Sequence, residues 1–250
     1  MHALLMRETL KALADLVLSS QCLMCAGAAE QLGEAVCGSC RSLWQVPAQE
    51  ISRDPLVLAV RPYDRVSQHV ILNVKEHDRR ALEPVLAEAI AIACLPLVQS
   101  THAPVVLVPV PSRAAARRRR GADVIWSVTR RSARLLAAAG WPVSAERLLT
   151  HTRVIADQSG LTATERVMNI HGSMSMRIGK TPLWFGRFTL VEARPPSIMG
   201  ERKVIVVDDL VTTGATMREA IRALHEGSGR SGVVVGGVCA ASTALRTNRR

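Results

Sequence analysis

The chain has 250 residues, 48% of them hydrophobic, which is enough to bury a sizeable core and excludes general disorder. A formal charge of +11 calls for an anionic partner, and phosphate metabolites, nucleic acid and acidic lipid all qualify. An aromatic content of only 3% argues against a stacking platform for single-stranded nucleic acid.

No stretch approaches an unbroken apolar span of membrane length. Residues 3–18 read as an amphipathic packing helix, with Met6, Leu10, Leu13 and Val17 at helical spacing. Arg7, Glu8, Lys11 and Asp15 interrupt its apolar residues, which does not fit a secretory leader. A cytoplasmic location is therefore expected, and there the six cysteines read as metal ligands or core, not disulfides. Cys22-x-x-Cys25 and Cys37-x-x-Cys40 are separated by eleven residues. Two such knuckles can bring four thiolates to tetrahedral reach of one structural Zn²⁺, with no position left for water. Gly27, Gly33 and Gly38 are suited to the tight turns. Cys94 and Cys239, in apolar surroundings, read as core.

Residues 46–55 carry Pro47 and Pro55 and read as a linker, followed by a short strand at Leu56–Val60. Val66, Val70 and Val74 form a helical stripe, with His69 and His77 as surface residues. Residues 81–98 are rich in Ala, Leu and Ile and predict a helix with a buried face. Val105–Val110 predicts a buried strand. It leads through Ser112 and Arg113 into the basic run Arg117–Arg120 and a helix over 122–139, stopped by Gly140. The basic run fits a solvated face, a nucleic-acid patch or attraction of a phosphorylated substrate. Residues 148–172 are polar and predict a mobile segment, loop-like over 150–162, with a capping box at Thr162 and Glu165. Met174, Met176 and Ile178 alternate and Phe188–Val191 is strand-like, so a hairpin flap is expected within 173–203.

The stretch Val204–Thr216 carries the clearest chemistry. Four aliphatic residues suit a strand buried on both faces, and Asp208 and Asp209 stand where it is expected to end. Thr212, Thr213, Gly214, Ala215 and Thr216 form a small, hydroxyl-rich loop running into a helix over 214–226. A helix start presents unpaired N–H groups and favours negative charge. The carboxylates would repel phosphate but can accept hydrogen bonds from sugar hydroxyls or hold Mg²⁺. A phosphorylated ribose satisfies both halves. Val233–Cys239 then reads as a last buried strand, with a short basic tail behind it. Strands near 57, 106, 190, 205 and 235 alternate with helices. This predicts an α/β domain with a mainly parallel sheet over 51–250, preceded by a helix and zinc module over 1–50.

Residues 204–216 closely resemble the binding motif for phosphoribosyl pyrophosphate (PRPP) of type I phosphoribosyltransferases. In order along the chain, Cys22, Cys25, Cys37 and Cys40, Val108–Pro111, Arg120-Gly121, Gln158, Leu161, Glu165, Arg166, Asn169 and Asp208–Thr216 are similar to the ComF family, also called amidophosphoribosyltransferase-like. Ala122, Asp123 and Val124 depart from its usual aromatic-Asn-Gln continuation.

The resemblance implies PRPP or nucleotide binding with Mg²⁺ and phosphoribosyl transfer. Asp208 and Asp209 would hold ribose hydroxyls, Thr212–Thr216 the 5′-phosphate and Arg113 the pyrophosphate. Arg113 and Arg166 are the catalytic candidates, and Gln158–Arg166 would close as a lid. It also implies a link to DNA uptake and competence, with single-stranded DNA or the uptake machinery as partner. The alternative on the same fold is a non-catalytic regulator or accessory protein. The sequence names no acceptor and no oligomeric state.

Overall fold

Consecutive aliphatic residues at Val105–Val108 and Val204–Val207 need apolar partners on both sides, and both stretches are almost fully buried. The computed structural model describes residues 21–28, 35–77, 79–112, 118, 121–153, 169–177, 202–228 and 233–245. In chain order the elements are helix α1 (Gly38–Ser42), strands β1 (Gln49–Arg53) and β2 (Leu56–Pro62), helices α2 (Arg65–Glu76) and α3 (Glu83–Gln99), and strand β3 (Val105–Pro109). Helix α4 (Val124–Ala138) and short strands β4 (Val143–Ala145), β5 (Leu149–His151) and β6 (Met174–Met176) follow. Strand β7 (Lys203–Val211), helix α5 (Ala215–Gly227) and strand β8 (Val233–Ser242) close the order.

Six strands form one sheet in the order β1-β2-β8-β7-β3-β4, parallel except for the β1–β2 hairpin. Alternate side chains along each strand feed two separate cores. Leu107, Ile205 and Val207 join α2, α3 and α4 on one face. Val106, Val204 and Val206 join α5, β5 and β6 on the other. Truncating a fully buried residue such as Ile205 to Ala would cost about 2–5 kcal/mol. Gly237 of β8 is needed for close approach, since a Cβ there would lie 2.3 Å from Met217 Sδ of α5.

The expected α/β fold with a mainly parallel sheet is what forms, and several details differ from the sequence reading. The proposed linker at 46–55 instead contains β1 and the turn into β2, because an edge strand with one polar face has no apolar run to mark it. Val143–Ala145, three residues long, extends the sheet at its other edge. Met174–Met176 is a strand as expected, but among the described residues its partner is Leu149–His151, which lies inside the segment read as mobile. The 3–18 helix, the Thr162–Glu165 box and the Phe188–Val191 strand lie outside the described residues. The run Arg80–Gln99 has the length and apolarity of a membrane span, yet 67% of its most apolar window is buried, as for a core helix.

The β5–β6 ribbon is held to α5 through backbone atoms. Glu219, only 4% exposed, accepts from the Met174 N–H at 2.9 Å. Arg222 binds both Glu219 oxygens at 2.8 Å and donates to the Met174 carbonyl at 3.0 Å. Burial raises the cost of charge on Glu219, but Arg222 and the Met174 N–H outweigh it and hold the carboxyl below its usual range. A depressed carboxyl pKa stabilises the fold above the unfolded-state pKa, and that contribution disappears as pH falls through the folded-state value. Glu219→Gln should therefore lower the melting temperature at neutral pH, by roughly 1–3 kcal/mol of stability, and match the wild type in acid. Thermal scans across pH check this. An equal deficit at both ends of the range would dismiss the charged clamp.

Candidate functional site

At the carboxyl end of β7 the chain leaves the sheet through Thr212 and Thr213 and turns into α5 at Gly214, with φ of +73°. That left-handed geometry suits glycine. The Ala215 N–H lies 3.4 Å from Thr213 Oγ1. The first turn of α5 holds no acidic residue, and Arg218 donates to the Thr213 carbonyl at 2.8 Å. Helix-start N–H groups without intrahelical partners, three hydroxyls and no acid in the first turn suit an anion. Asp208 lines the same small hollow as Thr212–Met217, together with Ile170.

β7 does not end before the two aspartates, because its pairing with β8 runs through Asp208 and Leu210 to Val211. Asp208 and Asp209 are therefore strand residues and part to opposite sides. Asp208 is partly exposed at the hollow, and its Oδ1 accepts from the Asp209 N–H at 2.9 Å. Asp209 is 4% exposed, and its Oδ2 sits 2.6 Å from Lys75 Nζ of α2. Burial and the adjacent Asp209 charge push Asp208 well above the usual carboxylate range. Burial acts on Asp209 too, but the Lys75 ammonium overrides it and holds Asp209 below that range. A proton is thus held more readily by Asp208 than by Asp209.

The loop after β3 brings Ser112 near this end of the sheet. Its hydroxyl donates to Asp123 Oδ1 at 2.8 Å. Asp123 caps α4 and also pairs with Arg147 at 3.3 Å, whose guanidinium stacks 4.6 Å from the centre of the Trp126 ring. Asp123 thus fixes the β3 loop to the start of α4. His151 Nε2 lies 2.8 Å from the Pro111 carbonyl, which joins the β5–β6 ribbon to the same loop. Arg113, Arg166 and Gln158, together with the lid reading over Gln158–Arg166, lie outside the described residues. Sequence reasoning passed over Lys75, His151 and the Glu219–Arg222 clamp. A lone basic residue or histidine shows its partner only after folding. Glu219 and Arg222, spaced i and i+3 on a helix, were the one local signal available.

A second cluster lies on the far side of α2. The sulfurs of Cys22, Cys25, Cys37 and Cys40 all fall within 4.8 Å of one another. Cys25 and Cys37 are 3.8 Å apart at sulfur, and the N–H groups of Met24 and Cys37 both point to Cys22 Sγ at 3.4 Å. The first knuckle closes through the Ala26 N–H on the Cys22 carbonyl and the Cys22 N–H on the Gly27 carbonyl. Its left-handed residue is Ala26, with φ of 59°, and not a glycine. Burial opposes a Cys22 thiolate, but the N–H groups of Cys37, Cys25 and Met24 bring it down to about 6. Burial and the neighbouring sulfurs push Cys40 upward. Four thiols at this separation with N–H donors on sulfur fit a structural zinc.

A sequence-family model described as the phosphoribosyl transferase domain matches residues 86–242. No curated protein matches the sequence.

The purified, reduced protein should contain one zinc per chain. Cys37→Ser should abolish it and cost roughly 4 kcal/mol or more, because metal binding supplies much of such a module's folding energy. Elemental analysis and thermal melts with and without chelator decide this, and a zinc-free, equally stable wild type would rule it out.

Proposed function

Because the chain belongs to the phosphoribosyl transferase domain family, we propose that it binds PRPP or a phosphoribosyl nucleotide and transfers the phosphoribosyl group to an acceptor. The observation that carries this reading is the phosphate-suited turn Thr212–Thr216 sharing one hollow with Asp208. Thr212, Thr213, Gly214, Ala215 and Thr216 are assigned to the 5′-phosphate. The Asp208–Asp209 pair is assigned to the ribose, with Asp208 the carboxyl that faces the hollow. Asp208 in its neutral form can donate as well as accept, which suits a sugar hydroxyl.

In the transfer, the bond from C1′ to the pyrophosphate oxygen breaks and its electron pair leaves with pyrophosphate. Positive charge develops at C1′ while the acceptor nucleophile bonds there. Mg²⁺, when bound with the substrate, offsets the charge of the leaving group. Arg113 is assigned to the pyrophosphate, and Arg113 and Arg166 remain the candidate catalytic residues. Gln158–Arg166 is assigned to excluding water from the reacting carbon. The four cysteines are assigned to a structural zinc in a module over residues 1–50, ahead of a transferase domain over 51–250.

The ComF resemblance extends this reading to DNA uptake and competence in the cytoplasm, with single-stranded DNA or the uptake machinery as partner. A net charge of +11 supports an acidic partner of that kind. A non-catalytic regulator or DNA-uptake accessory protein is the second reading. It is favoured by Asp123, which caps α4 where the family pattern has an amide.

The experiment is titration calorimetry with Mg²⁺-PRPP together with ³¹P NMR of PRPP, with and without candidate acceptors. Asp208→Asn should weaken PRPP binding by about 10- to 100-fold through the lost sugar contacts. Its melting temperature should hold or rise slightly, since the folded protein already disfavours charge at Asp208. No PRPP or nucleotide binding by the wild type at low salt would refute the reading. Binding without turnover across acceptors would select the second.

A further inference from the structure

Asp208 and Asp209 are mechanically one unit. The Asp209 N–H fixes the Asp208 carboxyl from behind at 2.9 Å, and Lys75 fixes the Asp209 carboxyl from the opposite face of the sheet at 2.6 Å. Lys75 lies in the last turn of α2. Whatever seats α2 therefore sets where the Asp209 carboxyl is drawn, and with it the backbone that holds Asp208.

α2 is seated by the four-cysteine module. At its start, Asp64 accepts from the Ser67 N–H at 2.9 Å and its own N–H meets Ser67 Oγ at 2.8 Å. Asp64 also binds Arg61 at 2.9 Å. The Arg61 guanidinium donates to the Leu43 carbonyl and stacks 5.2 Å from the centre of the Trp44 ring. Trp44 is fully buried just after the second knuckle. One turn further on, His69 Nε2 lies 2.9 Å from the carbonyl of Leu23, inside the first knuckle. Cys22, Cys37 and Cys40 share a single hydrophobic core with Val70, Ile71 and Val74 of α2. From Ser67 to Lys75 the helix spans about 12 Å, a rigid distance over which a displacement at one end arrives at the other.

We propose that α2 couples the four-cysteine module to the sugar end of the site, with Lys75 as its terminal positioning residue. This rests on the phosphoribosyl reading above. Lys75 touches no substrate and acts through Asp209. When the module loosens, α2 shifts, Lys75 leaves a buried carboxylate without its counter-charge, and the Asp208–Asp209 unit relaxes. The phosphate turn at the start of α5 makes none of these contacts, so phosphate binding is spared. The state of the module is thus felt selectively, as a loss of preference for the sugar.

The test compares inorganic phosphate with ribose 5-phosphate by calorimetry on the zinc-loaded full chain. Lys75→Met and Lys75→Arg accompany the wild type, each before and after zinc is stripped. Lys75→Met should lose about tenfold of the preference for ribose 5-phosphate, with phosphate affinity changed by less than about twofold. Lys75→Arg should recover part of it. Stripping zinc from the wild type should produce the same selective loss, and stripping it from Lys75→Met should add less than about twofold. An unchanged preference in Lys75→Met, or losses that multiply, would overturn the coupling. Should stripping unfold the chain, the reciprocal effect is read instead. Ribose 5-phosphate should slow zinc loss to a chelator in the wild type and not in Lys75→Met, and equal effects in both would overturn it. A wild type that binds neither PRPP nor ribose 5-phosphate refutes the functional reading together with this one. PRPP binding that ignores Lys75 refutes only the coupling.

Discussion

A parallel strand buried on both faces can expose polar groups only at its ends, and in open sheets of this kind ligands gather beyond the carboxyl end. β7 meets that constraint in an unusual way, because its pairing continues past the two aspartates to Val211. Each carboxyl is therefore forced to a different side of the sheet, and the sides are unlike. One opens on a hollow at a helix start. The other is closed and meets Lys75. The charge asymmetry of the pair follows from that geometry. Two adjacent carboxylates in poor contact with water cannot both be ionised cheaply, and the one with the ammonium beside it takes the charge. The Thr212–Thr216 turn needs no such arrangement, since any helix start offers backbone N–H groups to an anion.

The four-cysteine module is tied into this scheme by packing as much as by polar contacts. Among the described residues it has no core of its own. Cys22, Cys37, Cys40 and Trp44 lie in the same apolar cluster as α2, α3 and α4. Arg41 and Gln45 reach Glu88 of α3, and Arg61 spans from the module to the α2 cap. A small module of this kind cannot bury enough apolar surface to stand alone. Sharing the domain's core answers that shortage, and the four clustered cysteines are placed so that a metal would answer it further.

Much of this was legible in the sequence, and the reason is locality. Val204–Val207, the Thr-Thr-Gly-Ala-Thr turn and the paired Cys-x-x-Cys knuckles each carry their meaning within a few residues. The strands at Leu56 and Val105 and the helices behind them announced themselves through unbroken or periodic apolar runs. β1 and β4 did not, being a half-polar edge and a three-residue pairing. Lys75 meets Asp209 from 134 positions earlier in the chain and could not have been read from spacing. Nor could the parting of Asp208 from Asp209, which depends on how far β7 stays paired. Val66, Val70 and Val74 gave the right helix, but its buried stripe is Val70, Ile71 and Val74, with the cap at Asp64.

The ribbon of β5 and β6 is gripped at Met174 through its main-chain N–H and carbonyl, and at its other strand His151 meets the Pro111 carbonyl. Grips on main-chain atoms are indifferent to which side chain is present. The side chain at Met174 can therefore change without loss of these two hydrogen bonds. The Thr212–Thr216 turn and the aspartate pair lie on other elements and are untouched by such a change. A fold wired in this way separates the upkeep of the ribbon's position from the choice of its side chains.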